Sequence, residues 1–150
     1  MSLRSFVLLA VTAALVLTGC GSAADKNEYV KSVNEATVAL TKALGSVGNV
    51  GSGEPAAVAA TLTDGGKAID KAAKDFEAIT PPDNAKHAHT QMVAGLKSLA
   101  NTFNQAAAAA KAKDTQKMVE ILGSIQTSDG AKKIQAAQTE LQKNGYKFQS

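Results

Sequence analysis

From residue 25 onward, apolar positions recur at alternating spacings of four and three, the period of a helix that buries one face. Tyr29, Val33, Ala36, Leu40, Ala43 and Val47 form the first stripe. Val58, Leu62, Gly65, Ile69, Ala72, Phe76 and Ile79 form the second, and Ala85, His89, Met92, Leu96, Leu99, Phe103, Ala106 and Ala110 the third. The last third is interrupted. Met118, Leu122 and Ile125 keep one phase, Ile134, Ala137 and Leu141 another, with Thr127-Ser128-Asp129-Gly130 between them. No segment after residue 24 shows the strict alternation of a half-buried strand.

Start and stop signals bound these stripes. Asp25 serves as N-cap and Gly45 as stop for a first helix over 25–44. The glycine-rich stretch 45–54 is a flexible connection that can return the chain antiparallel. It lacks the preceding strand and the following Lys-Ser/Thr pair of a phosphate loop. Pro55 suits the first turn of a second helix running to about Ile79, and Gly65-Gly66 weakens it, with a kink or a close helix crossing expected at Gly65. Thr80-Pro81-Pro82-Asp83 ends that helix and, with Thr80 as N-cap and Asp83 three residues on, predicts a third helix over 81–112. Asp114 caps a fourth, broken or kinked near 127–130. Asn144-Gly145 ends it, and Tyr146 and Phe148 fold back onto the helix ends. The expected fold is all-α: an antiparallel up-down-up-down four-helix bundle spanning 25–150.

Ahead of this domain lies a different pattern. Arg4 precedes an apolar stretch of 12 residues, Phe6 to Leu17, which ends at Leu17-Thr18-Gly19-Cys20. As a helix it spans about 18 Å, short of the roughly 30 Å hydrocarbon core, so it reads as a cleaved signal rather than a permanent span. Its end resembles the lipobox of bacterial lipoproteins. The resemblance implies a signal peptide over 1–19, recognised by its peptidase at Leu17, Thr18 and Gly19. It also implies a diacylglyceryl group on Cys20 and a lipidated tether over 20–24. The protein is then expected at the cell membrane, lipid-anchored on the extracytoplasmic face. Pro81-Pro82 followed by His89, and the closing Asn144-Gly145-Tyr146, are similar to small helical bacterial lipoproteins, a likeness that brings no activity with it.

Composition narrows the functions available. Cys20 is the one cysteine, so no intramolecular disulfide can form. Without Arg4 the 16 cations become 15 lysines against 13 acids, a charge of +2. Scattered lysines near balance are not a nucleic-acid footprint, and no basic stripe interleaves with aromatics. Lysines 67, 71 and 74 alternate with Asp70, Asp75 and Glu77 as on a solvated helix face. No nucleophile elbow or triad can be assembled, and no enzymatic activity or required cofactor is expected. The partners expected are the membrane and an envelope protein.

His87 and His89 are the only histidines. Two residues apart on a helix, they point about 200° apart and do not share a metal ion easily. His87 is expected to face solvent. His89 lies on the third stripe, one turn before Met92, where it reads as a neutral, hydrogen-bonded core histidine beneath the Thr80-Pro81-Pro82 turn. The alternative is a haem- or metal-binding bundle carrier using His89 and Met92. Against it, both side chains leave one helix on the same side.

Overall fold

The structure, a computed structural model, describes residues 23–45 and 54–148. The lipobox-like segment with Cys20, most of the glycine-rich connection and Val47 lie outside the described residues. Those described are all-helical, with no strand. Five α-helices occur: α1 Ala23–Leu44, α2 Pro55–Glu77, α3 Lys86–Lys111, α4 Thr115–Gly123 and α5 Asp129–Lys143. Single 3₁₀ turns, Asp83–Ala85 and Ile125–Thr127, lead into α3 and join α4 to α5. No helix among the described residues is long and apolar enough to cross a membrane.

α3 is the axis on which α2, α4 and α5 pack. α2 lies antiparallel to it: Glu77 at the end of α2 pairs with Lys97 at 2.8 Å, and Gly66 approaches Ala100 and Asn104. α4 and α5 together run back along the other side of α3. Met118, Ile121 and Leu122 sit against Ala106, Ala107 and Ala110, while Gly130 meets Ser98 and Leu99 and Glu140 meets His87. α1 packs on α2, and its first turns reach the end of α5.

The stripes bury as their spacing requires, but not evenly. Leu62, Ile69 and Leu141 are the largest fully buried side chains. One apolar cluster joins Tyr29 and Val33 of α1 to Ile69, Phe76, Met92, Leu96, Leu141 and their neighbours. A second joins Val58, Ala59 and Leu62 to Ala106, Ala107 and Ala110, with α4 laid over it. No described side chain of α1 belongs to that second cluster. Along the α1 stripe Tyr29 and Val33 are buried and Ala36 and Leu40 half-buried against the same cluster, while Val38, off the stripe, is 67% exposed.

Two boundaries depart from the sequence reading. α1 begins at Ala23, so Asp25 lies in its first turn instead of capping it. The third helix does not begin at 81, and no capping box forms at Thr80. A residue before proline is pushed out of the α region, which excludes both Thr80 and Pro81 from a helical turn. Pro82 is extended (φ −59°, ψ 156°) and caps only the short 3₁₀ turn, while Asp83 pairs with Lys86 at 2.7 Å. α2 runs unbroken through Gly65-Gly66, the close approach to α3 falling at Gly66.

The fourth stripe is two helices. Asp114 accepts from the Lys117 backbone N–H at 3.0 Å and caps α4. Ser128 accepts from the Ala131 N–H at 3.2 Å and caps α5. Between them the hydroxyls of Ser124, Thr127 and Ser128 donate to the backbone carbonyls of Ile121, Ser124 and Ile125. The break itself falls at Ser128, whose extended backbone (φ −63°, ψ 157°) ends the 3₁₀ turn and starts α5.

Candidate functional site

At the end of the molecule where α1 begins, α2 ends and α5 ends, three aromatic rings meet. Their placement follows from local chain chemistry. Gly145 stands at φ 84°, a left-handed position that glycine adopts without steric cost. The Tyr146 N–H then donates to the Leu141 carbonyl and the Gly145 N–H to the Gln142 carbonyl, each at 3.0 Å. This Schellman closure turns the chain so that Tyr146 packs inward, leaving it 2% exposed.

Tyr146 is held from three directions. Its hydroxyl donates to the Asn84 side-chain oxygen at 2.6 Å, and the Asn144 amide donates to the Asn84 backbone carbonyl at 2.7 Å. Lys26 of α1 sits 5.3 Å above the ring and donates to the Asn144 carbonyl at 3.1 Å. The Tyr29 ring meets it edge-on at 5.5 Å, and Phe148 stacks on its outer side at 6.4 Å.

Tyr29 also reaches His89. The rings lie 5.8 Å apart, and the Tyr29 hydroxyl is 3.1 Å from His89 Nδ1. The Phe76 backbone also faces the His89 ring and favours its protonated form. In a neutral imidazole one nitrogen donates and the other accepts, and Nδ1 is the one paired with the Tyr29 hydroxyl. Burial pushes the His89 pKa below its ordinary value, the Phe76 backbone opposing the shift. The ring is therefore neutral at neutral pH, with Nδ1 engaged by Tyr29. Burial, and then the proximity of Tyr146, raise the Tyr29 pKa to about 12. Burial raises Tyr146 as well. Both hydroxyls stay protonated.

Met92, one turn along α3, is buried in the same cluster and 9% exposed. To coordinate iron or a metal ion, His89 would have to give up Tyr29 or the Phe76 backbone. Among the described residues no group of three or more His, Cys, Asp or Glu side chains could hold a metal ion. His87 is exposed, as its spacing predicts, and lies 2.7 Å from a Glu140 carboxylate oxygen.

Two grooves flank the aromatic cluster and share Ile79, Pro81 and Lys86. One, of about 700 Å³, runs between the first turns of α1 and the Thr80–Asp83 turn, with Asp25, Glu28 and Ser32 on its α1 wall. The other, of about 500 Å³, lies over His89, Thr90 and Val93, with the Glu77–Lys97 ion pair at its rim. His89 lines it from below, beneath Pro81. In the exposed turn, Lys86 donates to Asp83 and holds its carboxyl below the usual value.

Tyr29 as the partner of His89, and Asn84 as the partner of Tyr146, are not readable from the chain. Each pairing spans 60 residues or more. A weak signal existed for Tyr29: a tyrosine on a buried stripe needs a partner for its hydroxyl. Comparison with protein-family models, with curated proteins and with solved structures finds no match to this chain.

Proposed function

We propose that this protein is a lipoprotein of the bacterial cell envelope, anchored by a diacylglyceryl group on Cys20 after removal of residues 1–19. It acts as a non-enzymatic binding or structural module on the extracytoplasmic face, with a second envelope protein as partner. The observation that carries the reading is Leu17-Thr18-Gly19-Cys20 at the end of the Phe6–Leu17 apolar stretch, three residues before α1 begins. Small residues ahead of a lone cysteine at that depth suit lipid transfer and cleavage. The modification also removes a thiol that has no partner in the chain. Stable anchoring takes two or more acyl chains, which diacylglyceryl provides.

The anchored domain is, in this reading, an up-down-up-down four-helix bundle with α4 and α5 sharing the fourth position. The antiparallel neighbours along α3 support it. The aromatic end of the domain suits a structural role: its polar atoms satisfy one another, which holds the helix ends in a fixed arrangement.

Fractionation of the full chain and its Cys20→Ala variant tests the anchor, with intact mass of the membrane-bound product. Wild type is expected in the membrane fraction, cleaved before Cys20 and carrying a diacylglyceryl mass. The variant is expected as uncleaved precursor or released protein. A fully processed variant that stays with the membrane refutes the reading.

A further inference from the structure

We infer that the aromatic end of the molecule is a membrane-contact face that rests on zwitterionic lipid headgroups. The inference depends on the lipid anchor proposed above, and takes from it only the position of Cys20. From Cys20 to Ala23 there are three Cα steps, a reach of at most about 11 Å. The headgroup region on each side of a bilayer is about 5–8 Å deep. The start of α1 must therefore sit at the headgroup layer or just above it.

α1 cannot unwind cheaply to lengthen this tether. Lys26 is bonded to Asn144 and lies over Tyr146, and Tyr29 is wedged between Tyr146 and His89. The clamp ties the first two turns of α1 to the end of α5 and the start of α3. The lipid thus acts on the whole end of the molecule instead of on one loose helix.

The chemistry of this end fits a surface carrying both signs of charge. Lys26, Lys86, Lys143 and Lys147 stand against Asp25, Glu28, Asp83 and Glu140, in balance. An anionic surface would favour a basic cluster, which is absent here among the described residues. Between the charges, Pro81, Pro82 and Phe148 are each half-exposed. Apolar groups between lysines whose stems can lie along them are suited to the boundary between headgroup and acyl chain. The groove walled by Asp25 and Glu28 opens at this same end and presents carboxylates to headgroup ammonium ions. The outer side of α1 is less suited, since Val38 there is flanked by Asn34, Glu35 and Lys31. The start of α4 lies about 39 Å away, the length of α3, and faces the aqueous side.

The test places one fluorophore on the lipidated full chain, at Lys147→Cys or at Gln116→Cys, both exposed positions. With the Cys20 sulfur already in a thioether, the new thiol is the only one. The protein is reconstituted in phosphatidylcholine–phosphatidylethanolamine vesicles containing a lipid with a headgroup nitroxide quencher. Quenching at Lys147→Cys is expected to exceed that at Gln116→Cys several-fold, at low and at high salt alike. Equal quenching, with the diacylglyceryl mass present, overturns the end-on orientation alone. Quenching at Lys147→Cys that needs anionic lipid, or is lost in salt, overturns the balanced-charge face. An unmodified thiol at Cys20 overturns both this inference and the anchor.

Discussion

His89 is the side chain whose protonation the fold most directly opposes. Its folded pKa lies below the ordinary value of 6.5 because burial penalises the imidazolium. Between those two values the unfolded chain binds the proton and the folded chain does not, so acid favours unfolding. Stability should fall as pH drops through about 6.5, by up to about 1.4 kcal/mol per pH unit from this group, until the lower folded value is passed. Urea unfolding at several pH values, compared with His89→Gln, measures the contribution as the slope the variant lacks. The alkaline side has the opposite sign. Tyr29, raised to about 12, keeps its proton after the unfolded chain has lost it, so stability falls as pH rises through 10 to 12. Lys113 presents a different residue-scale strain. It occupies φ 59° at the end of α3, in the position Gly145 fills at the end of α5. There the Asp114 N–H closes on the Ala109 carbonyl at 3.0 Å. Lys113→Gly should stabilise the protein by about 1 kcal/mol, read as a rise of a few degrees in Tm.

Between elements, the closest approach is the crossing of α3 and α5 at Gly95 and Gly130. A Cβ at Gly95 would lie 2.8 Å from the Gly130 carbonyl oxygen, and one at Gly130 would lie 2.9 Å from the Gly95 carbonyl oxygen. Backbone cannot swing aside, so Gly95→Ala and Gly130→Ala should each destabilise by roughly 1–3 kcal/mol despite alanine's better helix propensity. Gly66→Ala should be neutral or stabilising by up to about 1 kcal/mol. The atom it would meet is the end of the Asn104 side chain, at 2.6 Å, which is exposed and can rotate away. Thermal unfolding of the three variants separates the cases. The second and third stripes were legible from spacing alone, since only one face of each helix could be buried. The Gly95–Gly130 crossing was not. Glycine in a helix reads as weakness until a second backbone is known to lie against it, and the sequence reading pointed to Gly65 instead. The third helix was misplaced because two prolines were counted as first-turn residues. The constraint each imposes on the residue before it was not applied.

At the scale of the molecule, α1 is held unevenly. Tyr29 and Val33 are in the core, whereas Ala36 and Leu40 are only half-buried against it, Val38 faces water, and no described residue of α1 reaches the cluster around Leu62 and Ala106. Hydrogen exchange should show amides near Tyr29 and Val33 protected close to the global level, with protection falling steadily toward Leu44. Uniform protection along α1 would contradict this picture. The histidine reading shows a similar division. That His89 would be neutral and bonded was legible from its place on a buried stripe. Which groups bond it was not, because its partners come from α1 and α2, and neither helix places them by local sequence.

The chain by itself determined that this protein is helical and which faces its helices bury. It also determined where the fourth stripe breaks, because period, caps and turn chemistry act within a few residues of one another. Only the tertiary structure decided that Tyr29, His89, Asn84 and Tyr146 share one end, that α3 is the central helix, and that α1 is fully buried only at Tyr29 and Val33. Those facts depend on the relative position of helices distant along the chain, which is set by side-chain interlocking and close backbone contact. No short-range pattern records that.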